Sequence, residues 1–316
     1  MRTTFITTVL NEEKTINNFL KSVADQSKLP DEIIIVDSFS VDKTVEKIIS
    51  FQKENRKLKI KLIKKKGNIA TGRNEAIENA TGQIILCSDV GCTLDKDWVK
   101  NILGKFEKKS LDVAAGFYKP FANNVFEKCL ATYTCVMPDR IDEKNFLPSS
   151  RSIGFKKNAW EKAGKYPQWL DTCEDLYFAR ELKRKKFNFK FAINAIVYWS
   201  QRKNLKEAFV QFFNYAKGDG TARYIRPNTP FLFARYVLGL LLVFYSFKVH
   251  SSALFMLLIL LFAAYILWAI QKNYKYVKDS RALIILPILQ FTSDIAVISG
   301  MSLGLFKSLS IKKSKK

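Results

Sequence analysis

Histidine is almost absent from this chain of 316 residues, which contains His250 alone. A lone histidine between two apolar runs excludes a Ser-His-Asp triad, a histidine-based zinc site and acid–base catalysis by histidine. The cysteines are odd in number and lack the spacing of zinc ligands; they are Cys87, Cys92, Cys129, Cys135 and Cys173. We therefore expect reduced thiols in a cytosolic domain.

Acidic residues are few relative to basic ones. The chain has 29 Asp and Glu against 52 Lys and Arg, a formal net charge of +23. Such an excess predicts an anionic partner, which is a nucleic acid, an anionic lipid or a phosphorylated substrate. No nucleic-acid-binding motif is evident. A secretory signal is also lacking, because the apolar residues 3–10 are too short for its hydrophobic region and are followed at once by acids.

Charge is missing altogether from residues 252–270, which as a helix would measure about 28 Å, close to the hydrocarbon thickness of a bilayer. The alternative is a buried core helix. Two further apolar runs are 231–247, with Arg235 near its start, and 282–306, which Pro287 and Asp294 interrupt. The sequence thus predicts a soluble domain over 1–226 and a membrane domain over 227–316.

The membrane domain is predicted to cross the bilayer twice. The spans 231–247 and 252–270 would return the chain to the side from which it came. Both the segment 271–281 and the tail after Phe306 are rich in lysine, which the positive-inside rule assigns to the cytoplasm. Because an acid such as Asp294 is costly at the centre of a membrane, we expect 282–306 to be re-entrant or interfacial, with the tail inside.

Strand and helix patterns alternate along the first 120 residues. The apolar strand runs are 3–9, 32–37, 58–63, 83–88 and 112–117, and the helical patterns lie near 14–25, 42–54, 70–79 and 96–108. This alternation predicts an α/β fold whose sheet is mostly parallel, with helices on both faces. Residues 119–150 are predicted to be irregular, 156–164 and 174–186 helical, 188–199 one or two strands, and 204–217 a basic amphipathic helix.

Polar residues follow three of the predicted strands. Asn11, Glu12 and Glu13 follow the first, Asp37 ends the second, and Asp89 ends the fourth. The carboxyl ends of parallel strands form the ligand-binding edge of such a sheet. Asp37 is predicted to accept hydrogen bonds from a nucleobase or ribose, or alternatively only to cap the next helix together with Ser40 and its neighbours.

A helix that begins after Gly67 carries Arg73 and Asn74. Arginine is always charged and forks onto phosphate oxygens, so Arg73 is a candidate ligand of a diphosphate. The alternative is an ordinary surface arginine.

These segments together resemble the family 2 glycosyltransferases with a GT-A fold. The resemblance rests on 7–13, 34–40, 67–74 and 84–91, and on 151–175 with its Glu174-Asp175 pair. It implies that Val9, Asn11, Glu13, Asp37, Ser40, Arg73, Asn74 and Asp89 bind a nucleotide-sugar donor. Asp89 matches the first acid of the family's Asp-x-Asp motif, but Gly91 replaces the second. The divalent cation, Mg²⁺ or Mn²⁺, would therefore bind through Asp89, water and another acid, or Lys and Arg side chains would neutralise the leaving group instead.

The same resemblance makes Asp175 the catalytic base, with Glu174 beside it. A neighbouring negative charge raises the pKa of a carboxyl group, which suits such a base. The alternative is that both acids only begin the helix 174–186, where acids are favoured.

Arg151, Trp199, Arg202 and Lys217 are candidates for a clamp on the acceptor or the diphosphate. The last three lie roughly where processive members carry a Gln-x-x-Arg-Trp motif, which this sequence does not match. The alternative for 204–217 is an interfacial helix whose basic side chains reach lipid head groups.

The sequence is thus identified as a membrane-anchored, inverting glycosyltransferase with a cytoplasmic catalytic domain. It would move a sugar from a nucleotide-diphosphate donor, UDP in preference, to a lipid-linked or membrane-proximal acceptor. One alternative is a polyprenyl-phosphate glycosyltransferase, although a phosphate acceptor needs no base. The remote alternative is a non-enzymatic basic protein that binds membranes or nucleic acid, and no nucleic-acid partner is expected.

Overall fold

The computed structural model describes residues 1–108, 110–143 and 145–313, and it divides into two compact units. The first consists of Met1–Phe121 and Val136–Ser200, the second of Ala122–Cys135 and Gln201–Lys316. Residues 201–226, which the sequence assigned to the soluble domain, therefore group with the apolar helices.

The first unit contains one eight-stranded sheet. Its strands are β1 (Thr3–Val9), β2 (Glu32–Asp37), β3 (Ile60–Lys64), β4 (Ile84–Cys87), β5 (Cys92–Leu94), β6 (Val113–Phe121), β7 (Ile153–Lys156) and β8 (Phe189–Ser200).

Eleven α-helices are described in the two units. They are α1 (Ile16–Ala24), α2 (Thr44–Glu54), α3 (Ile69–Asn79), α4 (Trp98–Leu103), α5 (Val125–Thr134), α6 (Lys157–Ala163), α7 (Glu174–Arg184), α8 (Leu205–Thr221), α9 (Thr229–Val249), α10 (Ser252–Val277) and α11 (Ala282–Lys313). Short 3₁₀ helices cover Gly104–Glu107 and Pro138–Arg140.

The strand order of the sheet is β3-β2-β1-β4-β7-β6-β8-β5. Strands β1 to β4 pair in parallel, whereas β7 is antiparallel to both β4 and β6. The residues of Ile33–Val36 are all buried, as expected for a parallel strand covered on both faces. The predicted mostly parallel sheet is confirmed, and its register places Val9 beside Asp37 at one edge.

The second unit has a core of its own. Helices α5, α8 and α11 bury an apolar cluster that includes Leu130, Phe212 and Leu289. Helix α5 lies where the sequence predicted irregular chain. This helix has only 10 residues, and three prolines lie near it in the sequence. Its helical hydrophobic pattern was therefore too short to be recognised.

Three helices of the second unit are long and apolar enough to span a membrane: Thr229–Val249, Ser252–Val277 and Ala282–Ser310. Only 6% of the apolar window is buried in each of the first two, against 39% in the third. The third apolar segment, expected to be re-entrant or interfacial, lies in one continuous helix, α11, that passes through Pro287. This helix has no turn that would reverse the chain, so it does not form a re-entrant segment, and the interfacial position stays a prediction.

Candidate active site

The loops after β1 and β2 are joined by hydrogen bonds between residues named in the sequence. The Asn11 amide donates to Ser40 Oγ at 2.9 Å, and Asn11 Oδ1 accepts from the Val41 amide at 2.9 Å. Glu13 Oε2 accepts from the Lys43 amide at 3.1 Å. The candidate donor-binding residues after β1 and β2 thus form one connected pair of loops.

Asp37 is fully buried at the end of β2. Its carboxylate accepts hydrogen bonds from the amides of Phe39, at 3.1 Å, and Ser40, at 3.2 Å. Phe39 has a φ of 65°, a conformation that these bonds help to hold. Asp37 therefore shapes the loop, and its direct contact with a nucleotide stays a prediction.

Arg73 joins two acids from distant parts of the chain. Its Nη2 lies 2.6 Å from Asp89 Oδ1, and its Nη1 lies 2.5 Å from Glu174 Oε1. The side chain is 1% exposed, and its guanidinium stacks 5.3 Å above the centre of the Tyr166 ring. Arg73 is therefore not an ordinary surface residue; it ties the end of β4 to the start of α7, and its contact with a diphosphate stays a prediction.

Asn74 is also buried, and three hydrogen bonds connect it to the protein. Its Oδ1 accepts from Trp160 Nε1 and from the Tyr166 amide, both at 3.0 Å, and its Nδ2 donates to the Tyr166 carbonyl at 2.8 Å. These bonds hold the segment that precedes α7, so a contact of Asn74 with the donor stays a prediction.

Asp175 lies in the first turn of α7 and is partly exposed. Its Oδ2 accepts hydrogen bonds from Ser149 Oγ at 2.8 Å and from the Ser150 amide at 3.3 Å. Cys173, just before α7, has a φ of 70°, which turns the chain sharply into the helix. The carboxylate is thus held in one orientation while remaining accessible.

The Arg151 guanidinium lies near the Asp175 carboxylate, and Ser149 connects them. Arg151 Nη1 donates to Ser149 Oγ at 3.0 Å, and the same hydroxyl donates to Asp175. The Arg151 guanidinium lies 4.1 Å from the centre of the Trp199 ring and 5.7 Å from that of Tyr118. The structure therefore brings together two of the candidate clamp residues, Arg151 and Trp199.

The other two candidate clamp residues, Arg202 and Lys217, belong to the second unit. Arg202 is exposed just after β8, and Lys217 lies on α8.

The two neighbouring acids differ in their electrostatic environment. Burial favours a raised pKa of Asp175, but the positive charges of Arg151 and Arg73 hold that pKa below its ordinary value. Burial raises the pKa of Glu174, Arg73 opposes this, and Asp175 adds to it. The expectation that the pair raises the pKa of Asp175 was wrong: the raised pKa belongs to Glu174.

The site around Asp89 offers few protein ligands for a metal ion. Within the described residues, no group of three or more His, Cys, Asp and Glu side chains is arranged to hold one. Asp89 has one oxygen bound to Arg73, and Gly91 offers no side chain two positions later. The residues present fit an ion held by one carboxylate oxygen, with its remaining ligands coming from substrate phosphates and water.

Sequence reasoning missed Ser149, Ser150 and Tyr166, which surround Asp175 and Arg73. Ser150 Oγ and the Tyr166 hydroxyl lie 2.9 Å apart in the buried wall of the site. Hydroxyl residues in an apparently irregular segment carry no periodic signal, so only their spatial position shows their role.

Comparison with known proteins gives consistent matches. Residues 4–160 match the family described as glycosyl transferase family 2. The chain is 22% identical over 193 residues to glycosyltransferase AglE of Haloferax volcanii, covering 60% of this chain and 63% of AglE, less than two thirds of that protein. It is 20% identical over 227 residues to the O-antigen chain rhamnosyltransferase RfbN of Salmonella typhimurium, covering 68% of this chain and 71% of RfbN.

A solved structure is similar over most of the chain. Mannosyltransferase PcManGT from Pyrobaculum calidifontis, in complex with GDP-Man and Mn²⁺, matches with a TM-score of 0.62 at 17% identity, covering 92% of this chain and 86% of PcManGT. At this identity the likeness concerns the fold alone, and the expected GT-A fold is confirmed. Taken with the match over residues 4–160, the chain contains a domain of glycosyl transferase family 2.

Proposed function

We propose that this enzyme moves a sugar from a nucleotide-diphosphate donor to a lipid-linked or membrane-proximal acceptor, with inversion at the anomeric carbon. The observation that carries the proposal is the pair of ion pairs that Arg73 makes with Asp89 and Glu174. They hold Asp89, a candidate ligand of the sugar donor, close to the start of α7. Asp175, next to Glu174, is then held at a fixed place relative to Asp89.

In the proposed reaction Asp175 takes the proton of an acceptor hydroxyl. The acceptor oxygen forms a bond to the anomeric carbon as the bond from that carbon to the donor phosphate breaks. The nucleoside diphosphate leaves with the electron pair. Because Arg151 and Arg73 hold the pKa of Asp175 below its ordinary value, the carboxylate is ionised at neutral pH but is a weak base. The proton of the acceptor hydroxyl therefore moves to Asp175 as the oxygen bonds to the anomeric carbon, when that hydroxyl has become acidic.

The donor-binding residues in this proposal are those of the paired loops, Val9, Asn11, Glu13 and Ser40, with Asp37 supporting them. UDP is the preferred nucleotide. PcManGT was solved with GDP-Man, so a GDP donor is its competitor.

A divalent cation, when bound, would neutralise charge on the departing diphosphate. Asp89 would hold it through the oxygen that Arg73 does not occupy. The ion of the PcManGT complex supports this assignment by analogy of fold.

A second candidate acceptor is a polyprenyl phosphate. The Arg151 guanidinium beside Asp175 favours it, because arginine binds phosphate oxygens in a bidentate manner. For such an acceptor the attacking oxygen is already ionised, so Asp175 would not be needed as a base.

A donor screen tests the proposal. The purified full-length chain in detergent or nanodiscs is incubated with UDP-, GDP- and dTDP-sugars and a polyprenyl-linked acceptor extract, and release of the nucleoside diphosphate is measured. Acceptor-dependent release from one donor class supports the proposal. Absence of release from every nucleotide sugar, by a protein that is folded, would contradict it.

A further inference from the structure

Helix α8 runs in parallel alongside the third apolar helix, α11, over most of its own length. Near the start of α8, Ala208 and Phe212 lie in one buried apolar cluster with Leu286 and Leu289 of α11. Just after its end, Arg223 Nε lies 3.3 Å from Ser308 Oγ. Seventeen residues of α8, about 25 Å of helix, therefore accompany α11 from about residue 288 to residue 308.

Glycines make this pairing unusually close. A Cβ at Gly220 of α8 would lie 2.6 Å from the Met301 carbonyl oxygen. A Cβ at Gly304 of α11 would lie 2.9 Å from the Thr221 amide nitrogen, and one at Gly300 would lie 3.1 Å from the Lys217 amide nitrogen. The two helices approach backbone to backbone, so α11 cannot occupy a position in the membrane that α8 does not share.

Helix α8 carries charge at both of its ends. Lys206 and Glu207 are exposed near its start, and Lys217 and Asp219 lie near its end. Asp219 is bound by Arg226, with 2.5 Å between Arg226 Nε and Asp219 Oδ2. An upright α11 would carry these groups through the hydrocarbon core, at a cost of about 2.5–3.5 kcal/mol for each lysine or aspartate near the centre.

The opposite face of α11 is apolar and exposed. Ile284, Ile288, Ile295, Phe306 and Leu309 are 45–70% exposed and recur at helical spacing on one side. At 3.6 residues per turn this side is opposite Gly300 and Gly304, where α8 packs. The pair of α8 and α11 therefore has one apolar face, on α11, and one charged face, on α8.

The neighbouring helical hairpin fixes where α11 meets the membrane. Asp294 of α11 accepts hydrogen bonds from the hydroxyls of Tyr236, at 2.9 Å, and Tyr265, at 2.5 Å, and from Arg235 Nη2 at 3.1 Å. Arg235 is six positions after Thr229, the first residue of α9, or about 9 Å along the helix. Tyr265 is five positions before the end of the charge-free stretch 252–270. The Asp294 cluster thus lies about 8–9 Å inside the ends of these two stretches, a depth that an interfacial helix buried about 5–10 Å deep can reach.

We propose that α9 and α10 alone cross the bilayer, and that α8 and α11 lie flat as a pair in the cytoplasmic membrane interface. The stripe Ile284–Ile288–Ile295–Phe306–Leu309 is buried in lipid about 5–10 Å deep, as in other interfacial amphipathic helices. Helix α8 covers α11 on the aqueous side, and its lysines meet anionic head groups.

Depth measurements on the full-length chain in vesicles of phosphatidylcholine and phosphatidylglycerol test this arrangement. A fluorophore is attached to single cysteines in Ile284→Cys, Ile295→Cys and Phe306→Cys variants on a background without the native cysteines. Quenching by lipids that carry spin labels at two depths then locates each position. The flat pair predicts equal, shallow depths at all three, and weaker quenching at a Lys206→Cys control than at any of them. An upright α11 predicts depths that spread over as much as about 33 Å, since 22 residues separate the outer positions, and would overturn the proposal.

Labelling in intact cells gives an independent readout. A membrane-impermeant maleimide is applied to Lys57→Cys, Lys248→Cys and Ser310→Cys variants, all at exposed positions. The proposal predicts that Lys248→Cys, between α9 and α10, is labelled from outside, and that the other two need permeabilisation. External labelling of Ser310→Cys, with Lys57→Cys protected, would show that α11 crosses the membrane.

Discussion

Arg73 Nη1 lies 2.5 Å from Glu174 Oε1, although the two residues are 101 positions apart in the sequence. Both side chains are buried, and the second guanidinium nitrogen of Arg73 holds Asp89. Arg73 is therefore a positioning residue: it connects the proposed donor side of the site to the helix that carries the proposed base.

Replacing Arg73 by methionine leaves Glu174 buried without a partner. We expect a loss of about 3–5 kcal/mol in the free energy of unfolding, the usual cost of breaking a buried ion pair from one side. Burial raises the pKa of Glu174, so without Arg73 the stability contributed by this carboxyl is present at low pH and is lost as the pH rises through its raised pKa. The deficit in thermal stability should therefore be larger at pH 8 than at pH 5.

An Arg73→Met/Glu174→Gln double variant is the matched control, because it removes the unpaired charge. We expect it to recover much of the stability but not the rate of sugar transfer. A deficit that is the same at both pH values, and that the second substitution does not relieve, would show that the ion pair is not the cause.

The cation beside the proposed base gives a prediction about pH. Arg151 helps to hold the pKa of Asp175 below its ordinary value, so Arg151→Gln raises that pKa. The acidic limb of the pH profile of kcat/KM should then move to higher pH, because the base is protonated at a pH where it was ionised before. Arg151→Lys, which keeps a positive charge, should move the limb less. A uniform fall in rate with an unmoved limb would mean that Arg151 acts on substrate alone.

The sparse metal site gives a prediction about chelation. If Asp89 holds a divalent ion against the diphosphate, excess EDTA should remove most activity, and added Mn²⁺ or Mg²⁺ should restore it. Asp89→Ala should weaken donor binding by about tenfold or more, since it removes a charged ligand and frees Arg73. Full activity in excess EDTA would show that the site, with Gly91 in place of the second acid, works without a metal.

The apolar runs predicted most of the sheet. The strands β1 and β2 match their expected ranges, because β1 is rich in β-branched residues and β2 contains four successive apolar residues. Asp37 ends β2 and Asp89 follows β4, as expected. The strand β5 was missed, as its three residues are too few to form a pattern.

The contacts made by each site residue were harder to predict. The sequence made Arg73 a candidate diphosphate ligand, but its buried ion pair with Glu174 could not be predicted, because the two residues are distant in sequence and no local rule joins them. In the structure Gly300 and Gly304 allow α8 to approach α11 closely, which periodicity alone does not reveal.

The central proposal, that Asp175 deprotonates an acceptor hydroxyl, is tested most directly by the Asp175→Asn variant. Acceptor-dependent nucleotide release and donor affinity are measured on the same preparation, with Glu181→Gln on the same helix as a control. The account predicts a loss of transfer of about 10²-fold or more with donor affinity nearly unchanged, because the amide keeps the shape but cannot take the proton. Transfer at a near wild-type rate would contradict it and would favour an acceptor phosphate that needs no base.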